Sequence, residues 1–249
     1  MTAPAIETDG LTKRFDETTV VDDLDLTVPA ESVYGFLGPN GAGKTTTMRM
    51  LTTLATPTSG TARIVGNPVT DREAVVSHVG YLPEEPPLYD ELTGREQLRY
   101  VAGLRDVDDD AADERIDALL DRFDLTDDAD DRVGTYSKGM KQKAALVQAI
   151  LHEPDVVFLD EPTSGLDPRA ARTVRDLVAE LTDRGMTVFL STHILPVVEE
   201  LADTVGVLYD GDLVAEDSPE RLTHRAESEQ SLEEVFLDVT SEEPATVER

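Results

Sequence analysis

Short apolar runs punctuated by glycine and proline give way, toward the middle of the chain, to a helical period and then to alternation of the two. Ala5–Thr8, the β-branched alternation of Thr18–Val28 and the apolar run Ser32-Val-Tyr-Gly-Phe-Leu37 predict three strands. Glycines from Gly38 to Gly43 break the pattern, and Lys44–Leu54 predicts a helix that stops before Thr56-Pro57. Strands are predicted at Thr61–Val65 and at His78–Leu82, the latter halted by Pro83. Between Gly94 and Asp131 the period turns helical: Ile116, Leu119, Leu120 and Phe123 form one apolar stripe at i, i+3, i+4 and i+7. After Pro154 the chain alternates strand Val156–Asp160, helix Pro168–Asp183, strand Thr187–Ser191, helix Leu195–Leu201 and strand Thr204–Tyr209. Asp210-Gly211 predicts a tight turn into Leu213–Glu216, and the stretch after Ser241 predicts a frayed acidic tail. Strands alternating with helices predict an α/β core with a mostly helical insertion.

Composition narrows the chemistry. With 249 residues, 39% of them hydrophobic, the chain is long enough for one large domain or a domain with an appended lobe. It has no cysteine, which excludes disulfides and thiolate metal sites, and its four histidines are scattered. The N-terminal stretch has no cationic start or apolar core of a secretory signal, and no apolar run is long enough to span a bilayer. Acids outnumber bases 52 to 22, a net charge of −30 that argues against nucleic-acid binding, which needs a basic footprint. The favoured reading of that charge is adaptation to a halophile's salt, where the Debye length falls to ~3 Å and self-repulsion is screened; an acidic mesophilic chain is the alternative. Residues 106–131 carry thirteen acids against Arg115 and Arg122, so the helical lobe is expected to have a heavily solvated outer face.

Gly38-Pro39-Asn40-Gly41-Ala42-Gly43-Lys44-Thr45 fits G-x-x-x-x-G-K-[ST] at every fixed position and lies between a predicted strand and a predicted helix. Glycines let backbone N–H groups converge on phosphate oxygens, and the helix N-terminus adds its positive dipole end. Lys44 is expected to reach the β- and γ-phosphates, with Thr46 just behind the loop and the Thr45 hydroxyl on Mg²⁺. The strand Val156–Asp160 ends in Asp160-Glu161, which would place two carboxylates beside that loop: Asp160 to hold Mg²⁺ and Glu161 to activate an attacking water.

Together with Tyr136-Ser-Lys-Gly-Met-Lys-Gln142, a second loop ahead of a helix, these motifs resemble an ATP-binding cassette (ABC) subunit over nearly the whole chain. The resemblance implies a P-loop NTPase core with a mainly parallel sheet, an N-terminal antiparallel β subdomain and an inserted α-helical subdomain. It implies a nucleotide-binding domain over 5–240, with the helical subdomain at about 86–153 and a tail over 241–249. The loop is a variant of the family's Leu-Ser-Gly-Gly-Gln, with Lys138 for the first glycine and Met140 for the glutamine. Ser164-Gly-Leu-Asp167 resembles the loop that passes the partner's catalytic centre in ABC dimers, and His193 resembles the histidine that contacts the γ-phosphate. Phe15, 29 residues before Lys44, stands where the family places an aromatic ring on adenine. Glu84 takes the slot of the family's lid-loop Gln, where it could ligate the metal.

Gly80-Tyr-Leu-Pro-Glu-Glu85, the Tyr136–Gln142 loop and Ser231-Leu-Glu-Glu-Val-Phe-Leu237 are similar to the ATPase subunits of type-two exporters. That likeness implies a head-to-tail pair, a homodimer or two paired cassettes, in which each ATP lies between Lys44 of one chain and Ser137, Lys138 and Gly139 of the other. Ser164 and Asp167 would lie at that interface. The pair would drive a separate integral-membrane permease from the cytoplasmic face, with Mg²⁺ as cofactor, to export a small solute, drug or ion. Four alternatives fit less well. A DNA-repair or chromosome ATPase needs a coiled coil or a basic surface, and a translation-type factor needs two cassettes in one chain. A P-loop kinase or GTPase would lack the Tyr136–Gln142 loop, and a regulatory module without turnover is separated by its ATPase activity.

Overall fold

The computed structural model describes residues 3–164 and 166–224; Gly165, the Ser231–Leu237 motif and the tail after Ser241 lie outside the described residues. In chain order the elements are β1 (Pro4–Phe15), β2 (Thr18–Pro29), β3 (Val33–Leu37), α1 (Lys44–Leu51), β4 (Ser59–Ile64), β5 (Asn67–Pro68) and α2 (Arg72–Val76). They continue with β6 (Val79–Leu82), α3 (Gly94–Leu104), α4 (Asp109–Arg122), α5 (Lys138–Ile150), β7 (Val156–Asp160) and α6 (Pro168–Asp183). β8 (Thr187–Thr192), α7 (Leu195–Leu201), β9 (Thr204–Tyr209), β10 (Asp212–Asp217) and α8 (Pro219–His224) complete them.

Two sheets result. The smaller is antiparallel, in the order β2-β1-β4-β5. The larger runs β10-β9-β3-β8-β7-β6, parallel throughout except for the β9/β10 hairpin at one edge. Every residue of β3, β7 and β8 is buried, as expected of parallel strands covered on both faces. One face carries Phe36, Phe158 and Phe189, whose rings pack at 5.2 and 5.5 Å against the side holding α1 and the smaller sheet. The other carries Leu159, Val188 and Leu190 toward α5 and α6.

The helical insertion forms for local reasons. Thr93 and Glu96 make a reciprocal capping box at the start of α3, and Asp108 caps α4 through the N–H groups of Asp110 and Ala111. Ile116, Leu120 and Phe123 are buried and Leu119 partly so, which matches the predicted stripe. Arg95 and Arg99 of α3 reach Asp117 and Asp113 of α4 at 2.6 Å each, partly neutralising the acidic outer face.

Several boundaries differ from the sequence reading. β1 starts where Ala5–Thr8 predicts and runs on to Phe15, because register shifts between Thr8 and Leu11 and again around Lys13 break the period-two pattern without ending the ladder. α1 ends at Leu51 rather than Leu54, where the chain turns through Thr53 at φ 63°. β4 begins at Ser59, ahead of the expected Thr61. The two-residue β5 and the short α2 are too brief to leave a periodic signal.

The strand order sets up the site. β3, β8 and β7 lie side by side and parallel, with Leu37 opposite Thr192 and Asp160 opposite Ser191, so their C-terminal ends open on one edge.

Candidate active site

At that edge the loop from Gly38 to Gly43 leaves β3 and enters α1. Gly43 sits at φ 108°, and a Cβ on it would fall 2.5 Å from the Val20 carbonyl oxygen; one on Gly38 would fall 2.4 Å from that of Leu208. The loop therefore packs backbone against backbone, which only glycine permits. Ala42 is buried, Pro39 half-buried, and Asn40 and Gly41 exposed at the tip. Thr45 and Thr46 are half-buried in the first turn of α1.

Lys44 opens α1 with its side chain turned back under the loop, where Nζ donates to the carbonyls of Gly38 at 2.7 Å and Pro39 at 3.2 Å. It is 6% exposed and stands 3.6 Å from Glu161 Oε1. Burial pushes its pKa down, while the charges of Glu161, Asp160 and Glu84 push back and favour the ammonium. Glu84 itself is exposed, yet close enough to contribute to that field.

The two carboxylates at the end of β7 are held differently. Asp160 is buried, and its Oδ1 accepts from Ser191 Oγ at 2.5 Å. Its Oδ2 is buried with no partner among the described residues. Desolvation and the neighbouring Asp160 charge push the Tyr81 phenol up to about 12. Glu161 sits just past the strand at φ 48°, in the left-handed region. Its Oε1 accepts from His193 Nδ1 at 2.9 Å and its Oε2 from Thr192 Oγ1 at 3.2 Å. One carboxylate thus lies between a buried ammonium and an imidazole that is 46% exposed at the mouth.

The structure brings Lys44, Asp160, Glu161 and His193 together. It keeps the second loop apart from them within one chain. Ser137 is exposed and caps α5 by accepting from the Met140 N–H at 3.2 Å; Lys138 is exposed beside it and Gly139 half-buried. Among the described residues no hydrogen bond or ion pair links Ser137 or Lys138 to Lys44, Asp160 or Glu161. α5 is tied to the centre only from behind, through Gln142 Nε2 donating to the Pro162 carbonyl at 3.1 Å. Ser164 folds back with its N–H on the Glu161 carbonyl at 3.0 Å, while Asp167 is exposed and caps α6. Phe15 ends β1 with half its surface exposed, and Lys13 Nζ lies 4.9 Å from its ring centroid.

Ser191 and Thr192 are polar partners that sequence reasoning passed over, although it read the strand that ends in them. Their signal was two hydroxyls closing an apolar run, and it acquires meaning only when β8 is known to lie beside β7.

Glycine cradle, buried lysine, strand-end carboxylates and histidine on the carboxyl edge of a parallel sheet define a P-loop nucleoside triphosphatase. The comparisons with known proteins carry this one step further. A family model described as "ABC transporter" matches residues 21–164, more than half of the chain. The chain is 45% identical over 213 residues to the daunorubicin/doxorubicin resistance ATP-binding protein DrrA of Streptomyces peucetius, covering 85% of this chain and 64% of that protein. It is 41% identical over 213 residues to the bacitracin transport ATP-binding protein BcrA of Enterococcus faecalis, covering 85% and 68% of the two chains. A solved ATP-binding subunit of an ABC transporter superposes with TM-score 0.87 at 31% identity, over 95% of this chain and 99% of that one. The chain belongs to the ABC transporter family and is one of its ATP-binding subunits, which hydrolyse ATP to power transport. Such subunits dimerise and work with membrane permeases. Among the described residues, no helix of this one is long and apolar enough to cross a membrane.

Proposed function

We propose that this chain is the catalytic half of an exporter's motor: two copies, or this chain and a paired cassette, close head to tail on two ATP molecules and drive a separate permease that exports a small solute, drug or ion. The observation that carries the reading is the Glu161 carboxylate held between Lys44 and His193 at 3.6 and 2.9 Å, beside a phosphate-binding loop. Support for the composite site comes from Ser137 and Lys138, exposed on a helix N-terminus and out of contact with Lys44 in their own chain.

In this reading Lys44 and the loop amides hold the β- and γ-phosphates, exchanging the Gly38 and Pro39 carbonyls for phosphate oxygens. Glu161 accepts a proton from the attacking water, while His193 and Thr192 fix its carboxylate and His193 reaches the γ-phosphate. Phe15 lies against adenine. Ser137, Lys138 and Gly139 of the second chain close over the γ-phosphate, with Ser164 and Asp167 at the interface. Loss of the γ-phosphate releases those contacts and lets the halves part.

Mg²⁺ fits the donors present. The unpartnered, buried Oδ2 of Asp160 is a polar atom in need of a ligand, and Thr45 and Glu84 add hard oxygen donors. The ion would neutralise charge building on the phosphates. The domain would span 5–240, its helical lobe about 86–153, with motion passing to the permease near residues 84–92 on the cytoplasmic face.

Glu161→Gln tests the assignment: ATP binding is retained, turnover falls roughly 10²–10⁴-fold, and an ATP-bound dimer accumulates on size exclusion. Hydrolysis at the wild-type rate by that variant would remove Glu161 from its role.

A further inference from the structure

The hairpin at the edge of the larger sheet turns back against the phosphate loop. Tyr209 pairs with Asp212, so Asp210 and Gly211 alone make the turn, at φ 49° and 92°. Two successive positive φ values mark the type I′ turn that matches the twist of a hairpin. Asp210 is exposed, whereas Gly211 is buried and tied on both sides. Its carbonyl accepts from the Asp22 N–H at 3.0 Å, and its N–H donates to the carbonyl of Ala42, inside the phosphate loop, at 3.1 Å. A Cβ on Gly211 would stand 3.0 Å from the Val20 carbonyl oxygen, the same oxygen that one on Gly43 would meet at 2.5 Å. β2, the hairpin turn and the phosphate loop therefore meet backbone to backbone around Val20.

That bond acts on a rigid unit. The Ala42 carbonyl and the Gly43 N–H belong to one planar trans peptide and point in opposite directions. Holding the carbonyl toward Gly211 turns the Gly43 N–H away from the hairpin, to the concave side of the loop. Gly43 is buried, and among the described residues its N–H has no partner, whereas the neighbouring Ala42 N–H donates to the Pro39 carbonyl at 3.2 Å. A buried donor left open in this way calls for an acceptor from outside the chain. Glycine at 43 also leaves the peptide free to flip, since no Cβ restrains φ there. A flip would offer the Ala42 carbonyl to the phosphates in place of a donor, and the bond from Gly211 opposes it.

We propose that Gly211 is a positioning residue for the nucleotide: its N–H clamps the Ala42 carbonyl and so aims the Gly43 N–H at the phosphate that the loop cradles next to the γ-phosphate. The hairpin turn thereby sets affinity for the nucleotide without touching it. The proposal rests on the reading that the Gly38–Gly43 loop holds the phosphates, and adds the group that orients one of its donors.

The test uses the full chain at a salt concentration where it hydrolyses ATP, labelled with ¹⁵N in glycine and ¹³C in the alanine carbonyls. In the wild type a scalar coupling across the hydrogen bond should join the Gly211 nitrogen to the Ala42 carbonyl carbon, and ADP with Mg²⁺ should shift the Gly43 amide resonance. Gly211→Ala forces a Cβ against Val20 at a φ that alanine rarely adopts, and is expected to lose the coupling. Its KM for ATP should rise about tenfold or more, the value of a hydrogen bond to a charged group. Its kcat at saturating ATP should be unchanged, because that contact is made equally in the ground and transition states; the retained kcat also shows that the variant folds. Leu213→Ala loosens the same hairpin through packing alone and is expected to keep both the coupling and the wild-type KM. A wild-type KM in Gly211→Ala despite the lost coupling, or an equal rise in Leu213→Ala, overturns the proposal. The wild-type signals decide the matter even if Gly211→Ala does not fold: without the coupling, or with a Gly43 amide that ignores ADP while those of Gly38 and Gly41 move, the proposal falls and the phosphate-loop reading stands. If none of the three amides moves, both fall together.

Discussion

Glu161 is held in a conformation that a side chain does not choose freely. Its φ of 48° lies in the left-handed region, which costs a non-glycine residue about 1–2 kcal/mol. Its carboxylate nonetheless stays fixed by Thr192, His193 and Lys44. Strain of this kind persists where surrounding contacts over-determine a functional group. Thr192 is the informative partner, because among the described residues its hydroxyl bonds to Glu161 and the Ile194 N–H and to no group assigned to the nucleotide. Thr192→Val is expected to lower kcat about tenfold or more, the value of a hydrogen bond to a charged group, with little change in ATP affinity by equilibrium titration. An unchanged kcat would show that Glu161 is oriented without it. Lys44, Asp160 and Glu161 were legible in the sequence because a fixed spacing around glycines and an apolar strand end mark them, and His193 through the family resemblance. Thr192 and Ser191 were not, because their roles come from the neighbouring strand rather than from nearby sequence.

At the scale of elements, long apolar runs were read well and polar or interrupted ones poorly. β3, β7 and β8 are buried along their whole lengths, so continuous hydrophobicity marked them. β1 pairs on both sides through bulges that scramble alternation, and only its first residues looked like a strand. The helical lobe was recognised despite its acidity, because Ile116, Leu120 and Phe123 keep their spacing when the intervening positions are acids. α6 offers a test of local control. Asp167 accepts from the N–H groups of Arg169 and Ala170 at 2.9 and 3.0 Å, and those donors hold its pKa below the usual carboxylate range. Asp167→Ala is expected to lower the midpoint of chemical denaturation and Asp167→Asn to lower it less, since asparagine caps almost as well. Equal losses in the two variants would place the effect in the charge rather than the cap.

Across the whole molecule the net charge of −30 sets the solution behaviour. At about 0.01 M salt the Debye length is ~30 Å, comparable to a domain, and the acids repel one another across it; at about 1 M it is ~3 Å and only contacts matter. Thermal unfolding followed across that range is expected to show the melting temperature rising with salt and ATPase activity lost at the low end. Stable, active protein at low ionic strength would contradict adaptation to high salt.

The central claim concerns a site divided between two chains, and mixing two disabled variants tests it most directly. Lys44→Ala removes one half of the site and Ser137→Arg blocks the other, so each variant alone should be inactive. A mixed pair keeps Lys44 from one chain and Ser137 from the other. An equimolar mixture should therefore recover up to about a quarter of the wild-type ATPase rate, since half of random pairs are mixed and each holds one intact site. No recovery from a mixture that still dimerises, or full activity in Ser137→Arg alone, would contradict a shared active site.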